Sequence, residues 1–152
     1  MRQLIIVRKD LNMSPGKLAA QVSHASMAFL SAAFLSSGAD HVLSADTGET
    51  ESYAVTLHIP ADIYEQWFMD IYTKTICEAK NRNQLMKAAA MADELGLVEG
   101  RDYFLIRDHC LTELEPEEVG EDGIGKTLTC IGFRPLPDDT AHAISRKFQL
   151  YK

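Results

Sequence analysis

A chain of 152 residues is long enough for one domain with a full hydrophobic core and too short for two ordinary ones. Hydrophobic residues make up 46% and charged residues 24%, the balance of a globular protein and not of a disordered or fibrous one, and no apolar stretch reads as approaching the roughly 20 residues of a bilayer span. The net charge of −7 excludes a generic nucleic-acid binder.

In chain order, the N-terminus has neither a signal-peptide core nor a transit-peptide composition, so a cytoplasmic address is expected. Leu4-Ile5-Ile6-Val7 is an unbroken apolar run and predicts a strand buried on both faces, as in a parallel sheet. Ser14 reads as an N-cap and Pro15 as the first helical residue. Leu18, Val22, Ala25, Phe29 and Ala33 then recur at helical spacing, and the helix runs to about Ser36, before Gly38. Residues 38–52 are small, polar and acidic and read as a surface loop. Tyr53–Pro60 alternates apolar and polar residues, which predicts a half-exposed or edge strand stopped by Pro60. A helical turn around Ile63–Phe68 carries the single tryptophan, Trp67, and Ile71–Glu78 predicts a further strand.

Asn81–Leu95 places Leu85, Ala88, Ala89, Ala92 and Leu95 on one face, with Gly96 as C-cap, and predicts a helix. Tyr103–Arg107 reads as a buried strand ending at Asp108, and Glu113–Gly125 as an acidic loop. Thr127–Phe133 reads as a last strand and Asp138–Phe148 as a last helix, after Pro135 and Pro137. Strands alternating with helices predict an α/β domain over residues 1–152, with a mixed sheet of about four to five strands in two or three layers and flanking helices. Cys77, Cys110 and Cys130 are an odd number without C-x-x-C spacing, against a disulfide framework and against structural zinc.

Chemistry is expected where the strands at 4–7 and 103–107 end, if these are parallel neighbours, because ligands of open α/β sheets bind outside the carboxyl ends of the strands. The helix beginning near Pro15 points its unpaired N–H groups toward that crevice. Arg2, Arg8, Lys9 and Lys17 against Asp10 give residues 1–34 a charge of +3 on an acidic body, a spot suited to one phosphate. Lys17 in the first helical turn opposes the helix dipole by about 0.3–1 kcal/mol, and residues placed against local preference are functional candidates. Lys17, Gln21 and His24 form one stripe bordering the apolar face, where solvated polar side chains are the plainer reading. Asp108 could orient a water and His109 could titrate near neutrality, while Cys110 is a weaker nucleophile candidate; an Asx-turn aspartate, a surface histidine and a small buried thiol explain them equally.

The segment Pro15-Gly-Lys-Leu-Ala-Ala-Gln-Val-Ser-His-Ala25 resembles the signature helix of the archaeal and eukaryotic class of peptidyl-tRNA hydrolases. The likeness continues in Glu94–Leu97 before the strand ending at Asp108, in Thr112-Glu113, in Thr127–Thr129 leading to Pro135, and in a closing Leu150-Tyr151. It implies an α/β fold and hydrolysis of the ester joining a peptide to the 3′ ribose of tRNA, with no metal or organic cofactor. Carried over position by position, it implies Lys17, Asp108 and Thr112 as catalytic residues and Gly16, Gln21, His24 and Thr129 as substrate-binding ones. It also implies a homodimer and peptidyl-tRNA held through its 3′ end or a single phosphate, with no membrane. Residues 38–70 resemble an insertion seen in bacterial members. The family reads Asp-Ala-Gly-Arg-Thr where this chain has Asp108-His109-Cys110-Leu111-Thr112, which leaves a catalytically weakened tRNA- or protein-binding module of the same fold as the alternative.

Overall fold

The computed structural model describes residues 1–42 and 52–152. Its elements in order are β1 (Arg2–Arg8), α1 (Pro15–Ser36), β2 (Asp40–Val42), β3 (Ser52–Ala54), α2 (Ala61–Ile63) continued by a π-helical turn (Tyr64–Phe68), β4 (Lys74–Ala79), α3 (Arg82–Glu94), β5 (Tyr103–Asp108), β6 (Glu118–Val119), β7 (Gly125–Leu136), α4 (Asp138–Ser145) and β8 (Gln149–Leu150). Six strands form one sheet in the order β5-β7-β1-β4-β8, with β6 on β7, while β2 and β3 make a separate hairpin.

Successive residues of a strand face opposite sides, and β1 uses both. Leu4 and Ile6 pack with Leu85, Ala88 and Ala92 of α3 and with Ala141 and Ile144 of α4. Ile5 and Val7 pack on the other side with Leu18, Val22 and Ala25 of α1. The result is three layers, α1 over the sheet over α3 and α4, with β1 buried between them.

Both long helices start as their sequences dictate. Ser14 Oγ accepts from the Lys17 amide at 3.3 Å, and Asn81 Oδ1 accepts from the Gln84 amide at 3.0 Å. Helix α3 ends with Gly96 at a φ of 77°, a left-handed conformation that suits glycine.

Several expectations are corrected. The strands at 4–7 and 103–107 are not neighbours: β7 lies between them and is antiparallel to each. They therefore still point the same way, and both carboxyl ends lie at one edge of the sheet. Strand β7 runs on to Leu136 through Pro135, and β4 begins only at Lys74, after Tyr72 turns at a φ of 53°. Of the expected strand Tyr53–Pro60 only Tyr53 and Ala54 are extended, as part of β3, because their partner is the short β2 inside the expected 38–52 loop and not the main sheet. Residues 43–51 of that loop lie outside the described residues. The acidic loop contains β6, and the last helix stops at Ser145, so that residues 149–150 pair with β4. Helix α1, at 22 residues, is long and apolar enough to cross a bilayer by length and composition, contrary to the expectation above. Here it forms the outer layer on the sheet, with Gln21 and Ala25 buried.

Helix α1 meets the sheet most closely at Gly132 of β7. A Cβ there would lie 2.5 Å from the Ala25 carbonyl oxygen. Gly132→Ala is expected to push the helix off the sheet and cost about 1–3 kcal/mol, read as a lower midpoint in denaturant unfolding.

Candidate active site

The centre forms where α1 begins and β5 ends. Lys17 Nζ lies 2.7 Å from Asp108 Oδ2, and both side chains are only 12–13% exposed. The same ammonium donates to Thr112 Oγ1 at 3.1 Å. One helical turn on, Gln21 Nε2 donates to Asp108 Oδ2 at 2.8 Å, and the Gln21 Oε1 accepts from Thr129 Oγ1 at 2.6 Å. The carboxylate only accepts, so it settles which way the amide points: the Gln21 N–H faces Asp108 and its oxygen is left to take the Thr129 hydroxyl proton.

A β-bulge aims Thr129. The pairing of β5 with β7 passes from Ile106–Cys130 to Arg107–Leu128, which leaves Thr129 as the extra residue. Thr129 and Cys130 consequently both touch Gln21 of α1.

Asp108 also accepts from the Cys110 amide through Oδ1 at 2.9 Å. This is the geometry of the expected Asx turn. Burial pushes the Asp108 carboxyl up, but hydrogen bonds from Lys17, the Cys110 amide and Gln21, with the lysine's charge, outweigh it and hold its pKa below the ordinary aspartate value. Cys110 itself sits at a φ of 55°, a left-handed conformation that a residue without Cβ adopts at no cost. Its thiol sulfur approaches the Asp108 carbonyl at 3.5 Å, and among the described residues no histidine bonds it.

Beside the carboxylate opens a cavity of about 320 Å³ lined by Gln21, His24, Ile106, Arg107, Asp108 and His109. His24 is therefore brought to the site as a wall residue, exposed and outside the Lys17–Asp108 hydrogen-bond chain. Gly16 is exposed at the helix start, where a Cβ would meet nothing within 4 Å. Glu113 occupies part of the same helix end, accepting from the Ser14 amide at 2.8 Å. Leu111 is 85% exposed. No group of three or more His, Cys, Asp or Glu suited to a metal occurs among the described residues.

Sequence reasoning missed two buried polar residues that hold this arrangement. Gln3 of β1 donates to the Ser26 and Phe133 carbonyls at 2.8 and 3.0 Å and accepts from Ser26 Oγ at 2.9 Å, tying α1 to β1 and β7. Arg8, 3% exposed at the end of β1, grips both oxygens of Glu117 at 2.6 Å, reaches Asp10 at 2.7 Å and donates to the Leu128 carbonyl at 3.0 Å. Arg82 and Arg107 in turn hold Glu118 at 2.8 and 2.9 Å. The acidic segment is thus fastened to the sheet by cations. Both directly flank the apolar run Leu4–Val7, and that position was the one available signal.

A family model described as "Peptidyl-tRNA hydrolase PTH2" matches residues 1–151. A peptidyl-tRNA hydrolase of Methanopyrus kandleri is 35% identical over 152 residues, 99% of this chain and 98% of its own. One from Staphylothermus marinus is 31% identical over 149 residues, 98% of this chain and 93% of its own. One from Thermoplasma acidophilum is 27% identical over 150 residues, 98% and 97% of the two chains.

The Arg8 cluster leaves a pH signature. Hydrogen bonding from Arg8 lowers the Glu117 pKa below its ordinary 4.5 against the opposing effect of burial. A depressed carboxylate stabilises the fold fully above its unfolded pKa and loses that contribution as pH falls through its folded value. Arg8→Met is expected to cost about 3 kcal/mol near neutrality, the low end for a broken buried pair because Glu117 and Asp10 remain 32% and 35% exposed. It should also flatten the loss of stability as the pH falls below the ordinary glutamate value of 4.5, measured by denaturant melts at successively lower pH.

Proposed function

Because this chain belongs to that family of peptidyl-tRNA hydrolases and cleaves the ester between a peptide and the 3′ ribose of tRNA, we propose that Asp108 is the centre of the reaction, with Lys17 and Thr112 beside it. The observation that carries this reading is the 2.7 Å contact between Lys17 Nζ and Asp108 Oδ2 next to an open cavity.

Lone pairs and donors divide the work. Asp108 Oδ2 already accepts from Lys17 and Gln21, whereas Oδ1 accepts from the Cys110 amide and keeps one lone pair. A water bound there is oriented toward the ester carbonyl carbon. Lys17 has three N–H groups, of which one faces Asp108 and one Thr112. The third is available to the carbonyl oxygen as it becomes an oxyanion. The water oxygen bonds to the carbonyl carbon, the bond to the 3′ oxygen breaks, and a proton leaves the water. The depressed pKa keeps Asp108 ionised and makes it a poor resting place for that proton, which passes on to the departing 3′ oxygen. No acyl-enzyme forms and no metal takes part.

Gln21 and Thr129 act as positioning residues, holding the carboxylate through one hydrogen-bonded chain. His24 and the Gly16 amide face the substrate's nucleotide end. The intact chain from Thr129 to Lys17 favours turnover over a weakened binding module, despite Leu111. In the same reading, residues 1–152 form one domain with 38–70 as an insertion, the protein works in the cytoplasm, and it forms a homodimer. The dimer is supported by exposed Met27, Phe34 and Leu35 on α1, the last 87% exposed.

The test is hydrolysis of peptidyl-tRNA by the purified protein. Asp108→Asn is expected to lower kcat by about 10²–10⁴ and Lys17→Met by about 10²–10³. An inactive parent, or two variants as fast as the parent, would overturn the assignment. The pH profile gives an independent check. The parent should show no acidic limb from Asp108 above its ordinary 3.8. In Lys17→Met burial is opposed only by the Cys110 and Gln21 bonds, so the limb of the residual activity should move to higher pH.

A further inference from the structure

The chain has fifteen basic side chains. Ten have a carboxylate, carbonyl or aromatic partner, including Arg8, Lys17, Arg82 and Arg107. The other five, Lys80, Lys87, Arg146, Lys147 and Lys152, make no side-chain hydrogen bond or ion pair among the described residues. All five belong to the part of the molecule built by the end of β4, α3, α4 and β8.

Three of them share one depression. Lys80 and Lys147 line a recess of about 160 Å³ with Gln84, and Lys147 and Gln84 also line an adjoining one of about 440 Å³ with Lys87. Two carboxylates reach it. Glu78 lies 3.3 Å from Lys9, which draws off its charge, and Glu94 remains. Three lysines against one remaining glutamate leave a net positive depression, which favours a polyanion. Lysine is a flexible point-charge donor, suited to phosphate oxygens.

The depression lies on the α3–α4 side of the sheet, opposite α1, near the edge at which β1, β4 and β5 end. Strands β1 and β4 are parallel, Arg8 sits opposite Ala79, and the Lys9 amide donates to the Ala79 carbonyl at 2.8 Å, so Lys80 leaves the sheet beside Lys9. The ends of β5 and β4 are three strand spacings apart, about 14 Å. We propose that Lys80, Lys87 and Lys147 hold backbone phosphates of the tRNA whose 3′ end lies at Asp108. This rests on the hydrolase reading above and extends the contact from the 3′ terminus to a few phosphates, without a duplex-wide basic surface.

The experiment compares the parent with the triple variant Lys80→Gln, Lys87→Gln, Lys147→Gln. The salt dependence of kcat/KM on peptidyl-tRNA is measured alongside cleavage of a peptidyl ester of adenosine, which has no polynucleotide. Three lost phosphate contacts should make the log–log salt slope shallower by about 2 and raise KM at low salt, with kcat on peptidyl-tRNA unchanged. Cleavage of the small ester should be unchanged, which also reports that the variant is folded. An unchanged slope and KM would overturn the proposal, and would leave an acidic protein as the partner of this patch. Should the parent cleave neither substrate, the hydrolase reading fails by itself. Binding of deacylated tRNA then decides the phosphate contacts: the same shallower slope supports them and an unchanged one overturns them.

Discussion

The height of α1 above the sheet governs everything that happens at Asp108. At Ala25 and Gly132 two backbones come close enough that one methyl group could not fit between them. A helix held that near can be reached by short side chains from below. Gln3 meets Ser26, and Gln21 meets Thr129 and Asp108, each across the layer boundary. These buried amides have all their strong partners inside the protein, and a shift of the helix by one ångström would strand them, at a cost of about 1–3 kcal/mol for each unsatisfied group. Packing and hydrogen bonding thus enforce the same geometry, and Lys17 is delivered to the carboxylate by a rigid element.

Electrostatics completes what packing begins. Burial alone would make Asp108 a reluctant anion. The ammonium, an amide of the following turn and a glutamine reverse that, so the site has a carboxylate charged at neutral pH in a half-sheltered place. The neighbouring acidic segment has a similar logic on a larger scale. Its glutamates look like a repulsive loop when counted by sequence, yet Arg8, Arg82 and Arg107 bind them from the sheet and helix side, and Thr127 links the Glu115 carbonyl to the Glu117 amide. Much of its formal charge is spent internally.

How much was legible depended on whether the cause was local. Caps, prolines and apolar periodicity are local, and they marked both long helices and the ends of β1 and β5. Lys17 stood out because its place opposed the helix dipole, and Asp108 because it ended an apolar run. Strand order is not local. Nothing in the residues around Leu4 or Tyr103 says that β7 runs between them, and the inference of a shared edge survived because equal direction was what mattered, not adjacency. The two-residue β6 and β8 are too short for any periodicity, and the bulge at Thr129 exists only relative to its partner strand. Gln3 and Arg8 read as flanks of an apolar strand because their partners lie more than 20 and 100 residues away.

The segment after β3 holds the single tryptophan. Trp67 is buried edge-on against Phe29 of α1 with ring centroids 6.0 Å apart, with Phe68 and Tyr72 around it and the Lys74 ammonium 4.9 Å above its ring. Phe29 lies twelve residues along α1 from Lys17, roughly 18 Å. Excited selectively, that indole is a built-in fluorophore for the contact between this segment and the far half of the helix.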